Sequence, residues 1–325
     1  MKATEAFFSR TGGPEVIEWR EVELPAPGPG EVTVVHSAVG LNYIDTYHRR
    51  GIYPLALPSG LGLEAAGTVA AVGEGVSTLR EGDRVATFGP AMGAYATARN
   101  VPAASLFVLP GAISDDVAAA VMLKGCTAEF LAERCARIAP GDAVLVHAAA
   151  GGVGLILVQW LKAMGTTVIG TVSSAAKVDA ARAAGADHII RYDSEPVAAR
   201  VRELTGGAGV RVTYDGVGMD TWEASLDATG RRGLIVSYGN ASAPVTGINL
   251  GVLAQKGSLY STRPTLFDYY ADPAERAAGA ERLWAMITDG KITVTIGQRY
   301  PLLEAARAHT DLEARATTGS TLLVP

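Results

Sequence analysis

Cysteine is scarce in this chain, which has only Cys126 and Cys135 among 325 residues. Both lie in one predicted helix over 115–137, too far apart along it for an unstrained disulfide. A chain without disulfides is typical of a reducing compartment, so we expect both thiols to be free. Neither cysteine has the paired spacing of a zinc knuckle, which argues against a small structural zinc site.

Basic residues are also few, because 28 Lys and Arg stand against 33 Asp and Glu, a net charge of −5. They are scattered, with only short pairs such as 49–50 and 231–232. Nucleic-acid binding through bulk electrostatics is therefore not expected. Long apolar runs are missing, both as a bilayer-spanning segment and as a signal-peptide core. With 48% hydrophobic and 19% charged residues, the sequence predicts a globular, cytoplasmic protein without a membrane partner.

Residues 3–110 hold short alternating runs rich in β-branched residues, such as 31–39 and 67–72, separated by Gly- and Pro-rich turns. This pattern is typical of a twisted antiparallel, barrel-like β domain. The tail after 264 has a predicted helix over 273–289 and strands near 293–300 and 320–324. Because the tail is too short for its own core, we expect it to complete the β domain.

From about 114 onward, strands alternate with helices, which predicts an α/β fold with a doubly wound parallel sheet. In such a fold the carboxyl ends of the strands, and so the ligand, lie at one edge. The predicted strands are 143–147, 167–172, 187–191, 210–215 and 233–238, and the predicted helices are 152–164, 174–184, 195–205 and 219–229.

The strongest motif is the stretch HAAAGGVG at 147–154. It follows an apolar strand at 143–146 and opens an apolar helical run at 155–161. Strand, glycine-rich turn and helix form the phosphate-binding part of a dinucleotide-binding unit. Small residues let the backbone approach a pyrophosphate, and the helix N-terminus supplies N–H groups and partial positive charge. The residues expected to contact the pyrophosphate are Gly151, Gly152 and Val153.

A carboxylate is missing where an NAD site has one. The strand 167–172 forms the second strand of the unit, and NAD-preferring sites usually end it with Asp or Glu to bind the ribose 2′-OH. This chain has Ser173, Ser174 and Lys177 there, whose hydroxyls and ammonium suit a 2′-phosphate. The sequence therefore predicts NADPH as the cofactor. The alternative is that Ser173 caps the next helix and Lys177 is a solvated surface charge.

The motifs together resemble a known family. The run GDAVLVHAAAGGVG at 141–154 is similar to the signature of the quinone oxidoreductases related to zeta-crystallin, in the medium-chain dehydrogenase/reductase superfamily. The match is especially close to bacterial NADPH:quinone reductases. Shorter runs resemble the family's other landmarks, at 12–16, 42–47, 62–67, 82–85, 215–218 and 257–259.

The resemblance implies a GroES-like β-barrel domain over 1–123 and 266–325, joined to a Rossmann domain over 124–265 that binds NADPH. It implies reduction of a small-molecule quinone in the cleft between those domains. It also implies a homodimer in which the last Rossmann strand, near 257–261, pairs with its mate. Pairing of this kind hides an otherwise open sheet edge.

The zinc ligands of related alcohol dehydrogenases are missing from the sequence. Leu63 stands where the zinc-dependent members have a histidine, and no cysteine precedes Cys126. A catalytic zinc needs three protein ligands, so we expect no metal and exclude the alcohol dehydrogenase mechanism. Ala149 also replaces the first glycine of the strict dinucleotide fingerprint, but alanine is small enough for the turn.

The candidate catalytic residues are Asn42, Tyr47 and Tyr53. Hydride transfer to a quinone develops an oxyanion that needs a donor or a proton. Asn42 would donate an amide N–H or fix the nicotinamide; the alternative is an ordinary turn residue. The tyrosines would line the quinone site, or simply be half-buried aromatics with a wet tip. Asp45 is a candidate for orienting this loop.

His48 and His147 are candidate acids. The family places His147 at the end of the first Rossmann strand, which favours a structural role. Thr127 is expected near the nicotinamide ribose, whereas Lys124 is a candidate site residue or only a surface charge. The further predicted cofactor contacts, which follow later strands or are carried over from the resemblance, are Tyr192, Val217, Tyr238, Asn240 and Arg263.

Two alternative functions stay open. An enoyl or 2-alkenal reductase would use the same hydride step on an activated C=C bond. Relatives of zeta-crystallin also include structural lens proteins and RNA binders, although the acidic charge counts against RNA.

Overall fold

A computed structural model describes all 325 residues of the chain, which form two compact units. The β-rich unit contains Met1–Lys124 and Val294–Pro325, and the parallel-sheet unit contains Gly125–Thr293. The strands are β1 Lys2–Phe8, β2 Glu18–Glu23, β3 Glu31–Leu41, β4 Ser59–Gly60, β5 Glu64–Val72, β6 Arg84–Thr87, β7 Ala98–Pro102, β8 Phe107–Val108, β9 Ala143–Val146, β10 Thr167–Val172, β11 His188–Arg191, β12 Val210–Asp215, β13 Thr229–Ser237, β14 Tyr260–Thr262, β15 Ile296–Pro301 and β16 Ser320–Val324. The helices are α1 Tyr43–Arg50, α2 Asp115–Glu129, α3 Gly152–Ala163, α4 Val178–Ala183, α5 Val197–Leu204, α6 Met219–Ala228, α7 Gly251–Gln255, α8 Leu266–Tyr269, α9 Pro273–Thr288 and α10 Ala305–Glu313.

The β-rich unit is built on a seven-stranded sheet in the order β15-β16-β3-β5-β6-β8, with β7 also paired to β3. A second sheet has the order β2-β1-β4. The alternating β-branched runs place one face of each strand inside, where Val32, Val34, Val69, Val85 and Val101 form a core cluster. The predicted antiparallel β domain is therefore confirmed.

The chain's tail completes this unit, as expected. β16 pairs antiparallel with β3 through Thr321, Leu322 and Leu323, and β15 pairs parallel with β16. Leu323 packs in the same buried cluster as Phe8, at the other end of the chain. The tail thus shares its hydrophobic core with the first strand.

The parallel-sheet unit has six strands in the order β11-β10-β9-β12-β13-β14, all paired in parallel. Leu145, Ile169 and Ile190 from three neighbouring strands pack in one buried cluster with Val201 of α5. This strand order is that of the doubly wound dinucleotide-binding fold, and its order reverses between β9 and β12. The predicted doubly wound sheet is confirmed.

The boundary of the tail differs from the sequence prediction. The chain joins the β-rich unit again at Val294, not at 266. α9 stays with the parallel-sheet unit because its Arg282 donates to the fully buried carboxylate of Glu129, at 2.6 and 2.9 Å. The Tyr270 hydroxyl donates to the same carboxylate at 2.7 Å. The sequence pattern of α9 alone could not show that its Arg282 would bind the buried carboxylate of Glu129.

Local differences also occur at helix ends. The predicted helix 115–137 is α-helical only to Glu129 and continues as a π-helix over Phe130–Cys135. The predicted helix 174–184 divides into a 3-10 turn at Ala175–Lys177 and α4. Neither Cys126 nor Cys135 forms a disulfide. None of the helices has the length and apolar character needed to cross a membrane.

Candidate functional site

The carboxyl edge of the parallel sheet collects most of the residues predicted for cofactor binding. All six strands point the same way, so the residues that follow them lie along one edge. The glycine-rich turn follows β9, beside the point where the strand order reverses, which is where open α/β sheets bind ligands. The predicted residues that follow β9 to β14 at this edge are Gly151, Gly152, Val153, Ser173, Ser174, Lys177, Tyr192, Val217, Tyr238, Asn240 and Arg263.

The glycine-rich turn closes tightly against the start of α3. The Gly151 amide donates to the Ala148 carbonyl oxygen at 2.9 Å. A Cβ on Gly154 would lie 2.3 Å from that same oxygen, so glycine is required for the helix to begin this close to the turn. No side chain caps α3, which leaves the first-turn amides of Gly152 and Val153 for a ligand. This helix N-terminus fits a pyrophosphate.

Ala149 fits the turn because the neighbouring strand makes room for it. A Cβ on Gly170 of β10 would lie 2.8 Å from the Ala149 Cβ, so the space is supplied by the strand and not by the turn. The Ala149 amide donates to the Thr171 carbonyl oxygen at 2.9 Å, which ties the turn to β10. The departure from the strict glycine fingerprint therefore leaves the turn intact.

The serines and the lysine predicted for the 2′-phosphate follow β10 directly. Ser174 is the N-cap of the 3-10 turn, and no side chain makes a cap hydrogen bond there. The alternative that Ser173 caps the following helix is therefore wrong. Ser173, Ser174 and Lys177 are all half-buried, so the lysine is not a fully solvated charge. Two hydroxyls and an ammonium at one strand end suit a phosphate.

Two of the later cofactor candidates are fixed to neighbouring strand ends. The Tyr192 amide donates to the Val172 carbonyl oxygen at 3.2 Å, which places Tyr192 beside the end of β10. Arg263 follows β14, and its Nη1 donates to the Ser237 carbonyl oxygen at 2.6 Å at the end of β13. Both residues thus lie on the edge that the glycine-rich turn occupies.

Asp215 holds the loop after β12, a role that the sequence reasoning missed. Its Oδ1 accepts the amide N–H groups of Val217 at 2.9 Å and Gly218 at 3.0 Å. Val217 and Asn240 are buried, and burial raises the pKa of the Tyr238 phenol above its ordinary value. The available signal was an acidic residue at the end of a largely buried strand, VRVTYD.

His147 is a structural histidine. It is fully buried, with Nδ1 3.1 Å from the Thr171 hydroxyl and Nε2 3.2 Å from the Ser225 hydroxyl. Ser225 donates in turn to Asp215 at 2.7 Å. Burial lowers the pKa of His147, although the charge of Asp215 opposes that shift. The family-based expectation of a structural role is confirmed.

In the β-rich unit, Asn42 lies on a buried carboxylate. Its Nδ2 donates to Oε2 of Glu64 at 2.8 Å, and Lys124 Nζ donates to the same oxygen at 3.1 Å. The other oxygen, Oε1, accepts the Leu123 amide N–H at 2.6 Å. Glu64 is completely buried and Lys124 is 5% exposed, so the alternative of Lys124 as a surface charge is wrong. The sequence analysis included Glu64 only within the family landmark at 62–67. A carboxylate in an apolar run was a signal that it would be buried and paired with a donor or a cation.

The tyrosines predicted for the quinone site form one aromatic cluster on and after α1. Tyr47 and Tyr53 meet edge to face with ring centroids 5.2 Å apart, and Tyr43 lies 5.6 Å from Tyr47. Tyr47 is buried, whereas Tyr43 and Tyr53 are half-buried. His48 lies against Tyr53 at 5.9 Å, and burial lowers its pKa, so it is a poor acid near neutrality.

Lys124 and Thr127 lie in the last turns of α2. Thr127 is buried at 9% exposure and belongs to the parallel-sheet unit, whereas Lys124 ends the first segment of the β-rich unit. No three His, Cys, Asp or Glu side chains of the chain lie close enough together to hold a metal ion.

The chain matches two described families. Residues 28–111 match "Alcohol dehydrogenase GroES-like domain", and residues 152–265 match "Zinc-binding dehydrogenase". The chain is 53% identical to a Pseudomonas aeruginosa protein named "Quinone oxidoreductase", over 98% of both chains. It is 43% identical to a Burkholderia protein named "2-haloacrylate reductase", again over 98% of both.

Solved structures agree with these relatives. The crystal structure of Escherichia coli quinone oxidoreductase complexed with NADPH matches with a TM-score of 0.97 at 50% identity. The match covers 99% of this chain and all of that one.

Proposed function

The chain belongs to the quinone oxidoreductase family of the medium-chain dehydrogenases/reductases, and from this we propose that it is an NADPH-dependent quinone reductase that needs no metal. The observation that carries the proposal is the row of phosphate-binding groups along one sheet edge. It combines the uncapped N-terminus of α3 with the hydroxyls and ammonium of Ser173, Ser174 and Lys177. A relative that is 50% identical over nearly the whole chain was crystallised with NADPH.

The parallel-sheet unit holds and orients the cofactor in this proposal. The amides of Gly152 and Val153 bind the pyrophosphate, and Ser173 and Lys177 bind the 2′-phosphate. Asp215 keeps the loop after β12 in place, so that its backbone faces the cofactor. When bound, NADPH supplies the hydride that reduces the acceptor.

The β-rich unit supplies the groups for the acceptor. Glu64 holds the Asn42 side chain in one orientation. The side chain therefore does not need to reorganise when charge develops on the acceptor. Tyr47 and Tyr53 offer aromatic faces and edges to a planar quinone and exclude water. A quinone is already a strong electron acceptor and needs less polarisation than a ketone. The absence of zinc ligands, such as the histidine that Leu63 replaces, therefore does not prevent the reaction.

We also propose a cytoplasmic homodimer. β14 is an edge strand, hydrogen-bonded only to β13, and its Tyr260 is 64% exposed. An exposed edge strand is a template for pairing with a second copy, which would make one continuous sheet. Neither cysteine forms a disulfide, which supports a reducing compartment. Analytical ultracentrifugation of the wild type and of Ser261→Pro tests the dimer, because proline removes a strand N–H.

The test of the function is oxidation of NADPH and NADH by the purified protein with 1,4-benzoquinone and 9,10-phenanthrenequinone. We expect turnover with both quinones and a strong preference for NADPH. Absence of quinone turnover in a folded protein that still binds NADPH contradicts the proposed activity. Preference for NADH contradicts the 2′-phosphate site.

A second candidate is reduction of an activated C=C bond, which the relative named 2-haloacrylate reductase favours. That reaction uses the same hydride step but must also protonate carbon. Acrolein and 2-chloroacrylate in the same assay separate the two functions. Turnover confined to these alkenes selects the second candidate, and turnover confined to quinones selects the first.

A further inference from the structure

A chain of buried side chains joins α10, near the C-terminus, to the residue that begins α1. It contains Arg49, Tyr95, His309 and Asp45, all with no exposed surface. His309 Nδ1 lies 2.9 Å from Arg49 Nη1, and His309 Nε2 lies 3.0 Å from the Tyr95 hydroxyl oxygen. The Tyr95 hydroxyl lies 2.9 Å from Asp45 Oδ2. At the outer end, Arg49 Nη2 is 2.7 Å from Glu313 Oε2.

The hydrogen bonds of this chain can run in only one direction. A guanidinium only donates, so Arg49 donates to Nδ1 of His309. Burial and the charge of Arg49 lower the pKa of His309 to about 3, so the ring is neutral and its one proton is on Nε2. Nε2 therefore donates to the Tyr95 oxygen, and the single Tyr95 proton is donated to Asp45. Each group of the chain thus has one fixed donor or acceptor role toward its neighbour, so the chain fixes geometry.

The chain ends on the residue that fixes Asn42. Asp45 Oδ2 also accepts the backbone N–H of Asn42 at 2.9 Å. The Asp45 carboxylate thus reaches back to the N-cap residue of α1, as in a capping box. Asn42 then directs its side-chain amide to Glu64. The second Asp45 oxygen, Oδ1, is buried without a partner, so the bonds at Oδ2 alone hold this carboxylate.

The charge of Asp45 depends on its surroundings. Burial raises the pKa of Asp45 to about 7, while the bonds from the Asn42 amide and Tyr95 lower it. The charge of Lys124 also lowers it, and that of Glu64 raises it. A pKa this close to neutrality makes the charge of Asp45 sensitive to its hydrogen-bond donors, and the donor from Tyr95 favours the ionised form that accepts the Asn42 N–H.

We propose that Tyr95, His309 and Arg49 are positioning residues for the reductase reaction, which hold Asp45 and through it the catalytic candidate Asn42. The proposal rests on the proposed quinone reductase function. It makes α10 part of the active-site support, although none of its residues was a candidate from the sequence. The acceptor chemistry of Asn42 depends on a bond network that begins at the largely buried ion pair of Arg49 and Glu313.

Tyr95→Phe tests the chain because it removes one O–H and keeps the ring. We expect kcat to fall about tenfold, the effect of losing one hydrogen bond to a charged group, with the Kd for NADPH unchanged. His309→Leu should lose a similar factor, and His309→Gln, which restores a donor near Nε2, should recover most of it. The matched control is Tyr300→Phe, which removes an O–H that donates to Asp311 of the same helix at 2.7 Å. Its kcat should stay within twofold of the wild type.

Two readouts separate positioning from a general structural defect. Loss of the Tyr95 donor raises the pKa of Asp45, so the acid limb of the kcat profile should move to higher pH in Tyr95→Phe and stay in place in Tyr300→Phe. Amide hydrogen exchange at Asn42, followed by NMR without cofactor, should be faster in Tyr95→Phe only. Wild-type kcat, pH profile and exchange rate in Tyr95→Phe overturn the proposal. If the wild type reduces no quinone, the proposed function fails by itself, and the exchange rate at Asn42 still decides whether the chain positions it.

Discussion

Replacement of Glu64 by Gln should destabilise the β-rich unit severely, although the two side chains have the same shape. The carboxylate accepts three donors: the Leu123 amide on one oxygen, and Asn42 Nδ2 and Lys124 Nζ on the other. A glutamine amide must point its NH2 group at one of these sides. In either orientation it places a donor against a donor, and it leaves the ammonium of Lys124 buried without its counter-charge.

The magnitude follows from the burial of the pair. The side chains of Lys124 and Glu64 are 7% and 0% exposed, so solvent cannot replace the lost partner. Removal of one partner from a buried ion pair costs about 3–5 kcal/mol. For a unit of this size, about 2–4 °C per kcal/mol converts this to a fall in Tm of roughly 6–20 °C.

Thermal and urea unfolding followed by circular dichroism measure this loss. Glu5→Gln is the matched control, because it breaks an ion pair with Arg20 in the same unit whose side chains are 26% and 52% exposed. That change should cost less than about 1 kcal/mol. The double variant Glu64→Gln/Lys124→Met should recover part of the stability lost in Glu64→Gln, since it removes the stranded charge. Equal stability of Glu64→Gln and Glu5→Gln would refute the reasoning.

Three further changes test the rest of the structure. Gly154→Ala should weaken NADPH binding and lower the free energy of unfolding by about 1–3 kcal/mol, because the added methyl stands 2.3 Å from a backbone oxygen. Fluorescence titration measures the binding and thermal unfolding measures the stability. The control Gly111→Ala, whose methyl meets no atom within 4 Å, should change neither. Lys177→Ala should raise KM for NADPH about tenfold or more and leave KM for NADH within twofold, since it removes a charged donor to the 2′-phosphate. The control Arg182→Ala removes an exposed charge on α4 and should change neither KM. Burial lowers the pKa of His36 to about 3 in the folded protein, so the unfolded chain binds more protons between pH 6.5 and 3 and stability falls as pH falls through that window. His36→Asn, which retains a donor at the Nδ1 position, should make the loss of stability from pH 7 to 5 smaller by about 2 kcal/mol in urea titrations, and an unchanged pH slope contradicts that assignment.

The sequence was informative where a function depends on local order. The glycine-rich turn, the strand before it and the apolar helix after it are adjacent in the chain, so their pattern predicted the start of α3 correctly. The residues predicted to follow β10 to β14 lie together for the same reason, because the carboxyl ends of parallel strands lie along one edge.

Contacts between distant segments were not predictable in this way. Glu64 and Lys124 are 60 positions apart, and Tyr95 and His309 are 214 apart. Only tertiary packing brings these side chains together, and neither pair leaves a periodic signal in the sequence. The same holds for α9, whose place in the parallel-sheet unit depends on the buried carboxylate of Glu129.

The contact between Ala149 and Gly170 makes two positions of the chain epistatic. Between them there is room for one methyl group, and Ala149 already fills it. Alanine at 170 is therefore excluded while 149 is alanine, and becomes acceptable once 149 is glycine. A mutational scan that changes one position at a time would score Gly170 as intolerant and miss the exchange. Substitution of Ala149 by glycine must therefore precede substitution of Gly170 by alanine if the fold is to tolerate both.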